Sequence, residues 1–391
     1  MAASTTLPKP EPASGMAGVI AGTTNISSVG TEGHGLQYRG YSIIDLANNC
    51  IFEQVAYLLM FGDLPTDSQL NSFQNVVNQS RVIPDSLKSI IELIPSSAHP
   101  MDVLRTACSM LGTLFPEQQD ASSGLYQLSS GNHATQIATT LISVFSAVLC
   151  YWHHFHQSGV RIDTSGLSQT ESLAHYLLRL LHQSNPTKAA VRAVNVSLIL
   201  YAEHGFAAST FACRVTASTK SDIYSCICTG IGTLRGALHG GANEAAMHLI
   251  EQFATPDQAV QGVKEMLRTK KLIMGFGHRV YKKGDPRSDV IKSCSEELAS
   301  LPGGNPNLVE ISKAIEKLMW DEKRLFCNLD FFSASAYNQC GIPTSLFTPI
   351  FVLARTAGWV AHVNEERVSG KLIRPDAAYT GVSARKFPSK L

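Results

Sequence analysis

The chain has 391 residues, 44% of them hydrophobic and 16% charged, with a formal net charge of +1 at pH 7. That length is more than one hydrophobic core usually absorbs, so two domains are expected, and the low charge content excludes a disordered chain. The near-neutral balance excludes a nucleic-acid coat or a polybasic membrane-surface protein, because both need a large positive field.

The opening MAASTTLPKPEPASG reads as a loose tail, with neither the apolar run of a secretory signal nor the arginines of a mitochondrial presequence. The span from Gly18 to Tyr41, rich in Gly, Ser and Thr, is the best place for short β structure. Helical spacing then takes over. Thr66 and Gln69 form a capping box ahead of Leu70, Phe73 and Val77. Val103, Ala107, Met110, Leu111 and Leu114 share one face between Pro100 and Pro116. Similar patterns predict helices over His133 to Phe155, Thr170 to His182, Pro186 to Glu203 and Ser221 to Leu234. They recur over Asn243 to Phe253, Pro256 to Lys270, Pro286 to Ser300, Leu308 to Leu325 and Pro343 to Glu366. The apolar run Ile137 to Trp152 is shorter than the roughly 20 residues that cross a bilayer, which favours a buried core helix. The fold class expected is mainly α, and no membrane or nucleic-acid partner is expected.

The nine cysteines are odd in number, and their one close pair, Cys226-x-Cys228, has neither zinc nor thioredoxin spacing. Reduced, mostly buried thiols in a reducing compartment follow, and a cytoplasmic location is expected. His153, His154 and His156 have no acidic or cysteine partner at ligand spacing, so no metal is expected.

Three segments place polar groups inside apolar helical text. In RGALHGGANE, His239 sits among three glycines at the mouth of a helix beginning near Asn243. A helix N-terminus favours neutral imidazole, which can donate a hydrogen bond to a developing oxyanion; a capping or turn role fits the same residue. In GFGHRVYKKGDPR, Val280 stands where the dinucleotide fingerprint needs its third glycine, and the Gly-Lys-Ser/Thr end of a P-loop is missing. His278 with Arg279, Lys282, Lys283 and Arg287 suits an anionic substrate and its phosphates, although a solvated basic turn has the same composition. In FCNLDFFS, Asp330 precedes two aromatics, a setting for a general base of raised pKa or for the cap of a helix starting at Phe331.

GALHGGANE, GFGHRVYKKGDPR and NLDFFSASAYNQCGIP occur in that order, and the combination resembles the citrate synthase family. The likeness runs from LQYRGYSIIDLA to LFTPIFVLARTAGWVAHVNEE and KLIRPDAAYTG, ending at Gly381. Within the family the text is most similar to the 2-methylcitrate synthases, at SSAHPMDVLRTACSMLG, LYAEHGFAASTFACRVTAS and NLDFFSASAYN. At His278-Arg279-Val280-Tyr281 it takes a spelling more usual in citrate synthases, where methylcitrate synthases often read His-Pro-Val-Tyr.

The resemblance implies a citrate synthase-like homodimer of helical subunits. Each would have a large domain (1–237 and 342–391), a small domain (238–341) and an active site in the cleft between them. It implies condensation of propionyl-CoA with oxaloacetate, with acetyl-CoA also used, or else a citrate synthase working on acetyl-CoA. No cofactor is implied, coenzyme A being part of the thioester substrate. Asp330 would be the base, His239 would stabilise the enol, and His278 would polarise the oxaloacetate carbonyl. His204, Arg287, Arg355 and Arg374 would bind oxaloacetate, Arg374 coming from the partner subunit, with Arg279, Lys282 and Lys283 near the CoA phosphates. A non-catalytic helical binding protein is the remote alternative, which the presence of His239, His278 and Asp330 disfavours.

Overall fold

A computed structural model of the chain describes residues 14–16, 18–31, 35–119, 133–166 and 171–387. Most of the expected N-terminal tail lies outside these residues, as does Thr170 at the start of one predicted helix.

A small antiparallel sheet of order β1-β2-β3 is built from Ser27–Thr31, Gly35–Tyr38 and Tyr41–Ser42. Ser27 lies opposite Tyr38, and Gln37 opposite Ser42. It falls almost entirely in the Gly/Ser/Thr-rich span where β structure is expected. The other regular elements among the described residues are helical: α1 (Ile43–Asn49), α2 (Phe52–Phe61), α3 (Asp67–Gln79), α4 (Asp85–Leu93), α5 (Pro100–Leu114) and α6 (His133–Ser158). Then come α7 (Leu173–His182), α8 (Lys188–Tyr201), α9 (Ala208–Ser218), α10 (Ile223–Leu234) and α11 (Ala242–Ile250). The last five are α12 (Pro256–Arg268), α13 (Ser288–Ser300), α14 (Pro306–Lys323), α15 (Leu329–Gln339) and α16 (Phe347–Ser369).

The helix-start signals act through identifiable bonds. Thr66 N donates to Gln69 Oε1 at 2.9 Å and Thr66 Oγ1 accepts from Gln69 N at 3.4 Å, the reciprocal pair of a capping box. His99 caps α5 by accepting from Met101 N through Nδ1 at 3.2 Å, with Pro100 in the first turn. Four helices, α1, α2, α4 and α9, go beyond the sequence expectation. They are short, and α9 carries two serines and two threonines, which compete with the helix backbone and read as loop.

The core is organised around α6 and α16. The helix around Ile137 to Trp152 extends to 26 residues, so length does not separate it from a membrane span; its surroundings do. The most apolar window of α6 is 89% buried inside the protein and that of α16, with the 3-10 turn before it, 100%. α16 packs against α6, α9, α2, α10 and α8, while α11 to α15 pack largely on one another. α13 and α15 also reach α8, whose C-terminal residue is Tyr201. All nine cysteines are unbridged and seven of them are buried.

One close approach fixes the region of interest. Gly275, at φ +88°, lets its segment lie against α15: a Cβ there would come within 2.9 Å of Phe331 Cβ. Gly275→Ala is therefore expected to cost about 1–3 kcal/mol of stability, read as a lowered unfolding midpoint. An unchanged midpoint would show that the segment is free to move off the helix.

Candidate active site

The polar islands of the sequence meet where the C-terminal end of α8, the turn after it, the loops before α11 and α13, the start of α15 and the first half of α16 converge. A short antiparallel splice joins two of these segments. Asn328 N donates to Gly275 O at 2.9 Å, Gly277 N to Phe326 O at 2.8 Å and Asn328 Nδ2 to Gly277 O at 3.0 Å. The splice puts His278 at the end of one strand and Asp330 two residues beyond Asn328 on the other. Asp330 is not the helix cap. Asn328 fills that role, its Oδ1 accepting from Asp330 N at 3.0 Å, which leaves the Asp330 carboxyl available.

Asp330 Oδ1 accepts from the Tyr201 hydroxyl at 2.6 Å. Burial pushes its pKa up to about 6, while Tyr201 and the cations of Arg287 and Arg355 hold it from rising further. A carboxyl at that level is basic enough to take a proton and still mostly ionised at pH 7.

The two histidines of the glycine-rich segments are held as opposite tautomers. His239 Nε2 lies 3.3 Å from Ser209 N, an obligatory donor, and 2.9 Å from Ser209 Oγ, which itself accepts from Trp359 Nε1 at 3.2 Å. Nε2 is therefore the acceptor and the proton sits on Nδ1. His278 Nδ1 accepts from Val280 N at 3.0 Å and Tyr281 N at 3.2 Å, so its proton sits on Nε2. Burial lowers both pKa values to about 4, helped by Arg355 at His239 and by Arg287 at His278. Both rings are neutral donors at pH 7.

The loop carrying His239 is braced from three sides. Thr348 Oγ1 donates to Gly240 O at 3.2 Å, Thr348 N donates to Glu244 Oε1 at 3.2 Å, and Glu244 Oε2 lies 3.3 Å from His99 Nε2 at the head of α5. A capping role for His239 does not survive, because its ring bonds across to α9.

His204 is buried with its ring 5.0 Å from that of His278, and its Nε2 lies 3.0 Å from the Tyr281 hydroxyl. Burial and the neighbouring Arg287 push its pKa well below the usual histidine range. Arg287 forms a fork with Asp285, Nε to Oδ1 at 2.9 Å and Nη2 to Oδ2 at 2.8 Å, leaving Nη1 outside the pair. Burial alone would raise the Asp285 pKa, but Arg287 outweighs it and keeps the carboxyl ionised. Arg355 is 1% exposed and donates from Nε to Tyr201 O at 2.6 Å, yet its Nη1 is buried with no hydrogen-bond partner. An unmatched buried guanidinium nitrogen is costly unless an anion occupies the space beside it.

The citrate synthase C-terminal domain family matches residues 15–376 of this chain. The chain belongs to the citrate synthase family. It is 49% identical to a 2-methylcitrate synthase of Shewanella oneidensis, over 95% of this chain and 96% of that one. A citrate synthase of Mycolicibacterium smegmatis is 40% identical, with 95% and 96% covered. Among solved structures, the ternary complex of Thermoplasma acidophilum citrate synthase with carboxymethyl coenzyme A and oxaloacetate superposes with a TM-score of 0.88. It is 30% identical and covers 98% of this chain and 99% of its own.

Of the residues that the family resemblance marks, His204, His239, His278, Arg287, Asp330 and Arg355 gather in this one cluster. Arg374 does not join it within one chain: it lies on the extended segment after α16, 74% exposed, and pairs with Asp376 at 3.2 Å. Lys282 and Lys283 are exposed on the turn after His278, Lys282 Nζ donating to Arg279 O at 3.1 Å. Arg279 is exposed too and reaches Gly15 O at 3.5 Å. Tyr201, Ser209, Tyr281 and Asp285 escape the sequence reading, although Asp285 stands two residues before Arg287, a spacing that allows a local ion pair. Among the described residues, no three of His, Cys, Asp or Glu gather as metal ligands would. His154 Nε2 is taken up by the carbonyls of Leu180 and Leu181, each at 3.0 Å.

Proposed function

We propose that the protein is a 2-methylcitrate synthase, condensing propionyl-CoA with oxaloacetate and water to give 2-methylcitrate and free CoA. The observation that carries the condensation is the shared wall of an anion site and a base: Tyr201 gives its carbonyl to the half-satisfied Arg355 and its hydroxyl to Asp330, and the choice of propionyl-CoA rests on the 49% identical 2-methylcitrate synthase. Arg355 Nη1 and Arg287 Nη1 are the nitrogens offered to the oxaloacetate carboxylates, planar groups that suit a guanidinium. His204 lies beside them.

Removal of an α-proton from a thioester by a carboxylate is slow unless the enolate oxygen is stabilised at the same time. Asp330 takes the proton and His239 Nδ1–H donates to the thioester oxygen. The enol carbon attacks the keto carbon of oxaloacetate, whose oxygen gains negative charge and accepts from His278 Nε2–H. Water then cleaves the thioester of the condensed product, releasing CoA and giving the sequence its direction. With both imidazoles neutral throughout, turnover should fall as pH drops through about 6, where Asp330 takes up a proton.

The proposal extends to a homodimer in which the partner's copy of the C-terminal segment supplies Arg374, to CoA phosphates held near Arg279, Lys282 and Lys283, and to closure of residues 238–341 over the substrates. Exposed basic side chains suit phosphates, and an exposed arginine beside Leu372, Tyr379 and Phe387, all exposed in the single chain, suits a segment covered by a second subunit.

The test is steady-state release of CoA with oxaloacetate and each thioester. Propionyl-CoA should give the higher kcat/KM, and acetyl-CoA should also react, about 10- to 100-fold less well, because one methylene in an apolar pocket discriminates only that far. A higher kcat/KM for acetyl-CoA would make the enzyme a citrate synthase, the second reading supported by the 40% identical Mycolicibacterium smegmatis relative.

A further inference from the structure

We propose that Tyr201 is a positioning residue for the reaction, its hydroxyl holding Asp330 by one carboxylate oxygen so that the other is left as the single site of proton removal. The inference rests on the reading of Asp330 as the base.

Tyr201 is placed for this by constraints that have nothing to do with Asp330. It closes α8, and its ring is 1% exposed and packs on Phe351 with centroids 4.3 Å apart. Its carbonyl accepts from Arg355 Nε at 2.6 Å. Ring and backbone are both fixed, so the hydroxyl has little freedom. It lies 2.6 Å from Asp330 Oδ1, the length of a charge-assisted O–H···O⁻ bond. Asp330 is fixed from the other side through its backbone N–H on Asn328 Oδ1. With its backbone held by Asn328 and one carboxylate oxygen by Tyr201, Asp330 presents the other oxygen in one direction, and proton transfer is sensitive to that geometry.

The bond also acts on ionisation. A phenol that donates to a carboxylate favours its charged form, and at Asp330 this is the first influence that opposes burial. The other groups facing Asp330 are Arg287 and Asp285 ahead of α13, Arg355 on α16 and Tyr337 on α15 itself. Arg287 and Asp285 offset each other through their fork. Loss of the Tyr201 hydroxyl would therefore fall on Asp330 with little buffering from its neighbours.

The experiment is the pH dependence of kcat in the full-length enzyme, with saturating oxaloacetate and the better thioester, for wild type, Tyr201→Phe and Asp330→Asn. In wild type the acidic limb should lie near 6. In Tyr201→Phe it should rise by about one to two pH units, the worth of a hydrogen bond to a charged group, so kcat falls most at neutral pH and recovers in alkali. Oxaloacetate affinity should stay within about twofold, since the carbonyl that holds Arg355 is untouched. Site-specific replacement of Tyr201 by 3-fluorotyrosine, a stronger donor of the same shape, should move the limb the other way. A limb that stays put in both variants while Asp330→Asn is inactive overturns the role of Tyr201 and leaves the base in place. An active Asp330→Asn overturns the base itself.

Discussion

Asp330→Asn is expected to lower kcat by about three to four powers of ten, with oxaloacetate binding within about threefold of wild type. Asparagine has the shape of aspartate and its Oδ1 can still accept from the Tyr201 hydroxyl, so the contact at 2.6 Å has a successor and the start of α15 is undisturbed. What disappears is the capacity to take a proton. His239 would still offer Nδ1–H to the thioester oxygen, and that alone cannot make the α-carbon nucleophilic. Residual turnover above about a tenth of wild type would remove Asp330 from the reaction, because general-base catalysis contributes at least about a hundredfold. Calorimetric titration with oxaloacetate separates this from a binding defect.

Arg355→Leu should raise the KM for oxaloacetate by about two to three powers of ten, equivalent to losing one or two charge-assisted hydrogen bonds of about 1.5–3 kcal/mol each. Stability should change far less than binding. The wild-type side chain is buried with Nη1 unsatisfied, so its removal ends a desolvation cost that offsets the lost bond to the Tyr201 carbonyl. Oxaloacetate should raise the melting temperature of the wild type and leave that of Arg355→Leu unmoved. Arg355→Lys is not expected to restore binding, since an ammonium cannot serve the Tyr201 carbonyl and a planar carboxylate in the same fixed geometry. A KM within about threefold of wild type in the leucine variant would place the anion elsewhere.

The sequence made the fold class legible because helical spacing persists over long stretches, from the capping box at Thr66 to the apolar face of α5. It was silent on α9, whose serines and threonines resemble a loop until α10 and α16 pack against it. His239, His278 and Asp330 stand out as polar residues among glycines or aromatics. Tyr201 does not, because it ends the apolar run Leu198-Ile199-Leu200 and reads as one more core residue. Its hydroxyl acquires meaning only when α15, more than a hundred residues later, arrives beside it. Arg355 is hidden in the same way inside the almost wholly buried α16, and only the family resemblance singled it out. The tautomers of the two histidines were beyond any sequence reading, since they depend on backbone N–H groups of Ser209 on one side and of Val280 and Tyr281 on the other.

The splice between residues 275–277 and 326–328 makes His278 and Asp330 a single mechanical part. Three hydrogen bonds tie their segments together, so a shift of one drags the other, and the spacing between them is settled when the chain folds. His239 and Arg355 stand on another support: His239 bonds to Ser209 on α9, its loop is braced by Thr348, and Thr348 and Arg355 both belong to α16. Tyr201 joins the part carrying His278 and Asp330 to Arg355, since its hydroxyl meets Asp330 and its carbonyl meets Arg355. An insertion in the turn after His278 should therefore leave the spacing of His278 and Asp330 intact, because the bonds that set it lie before the insertion.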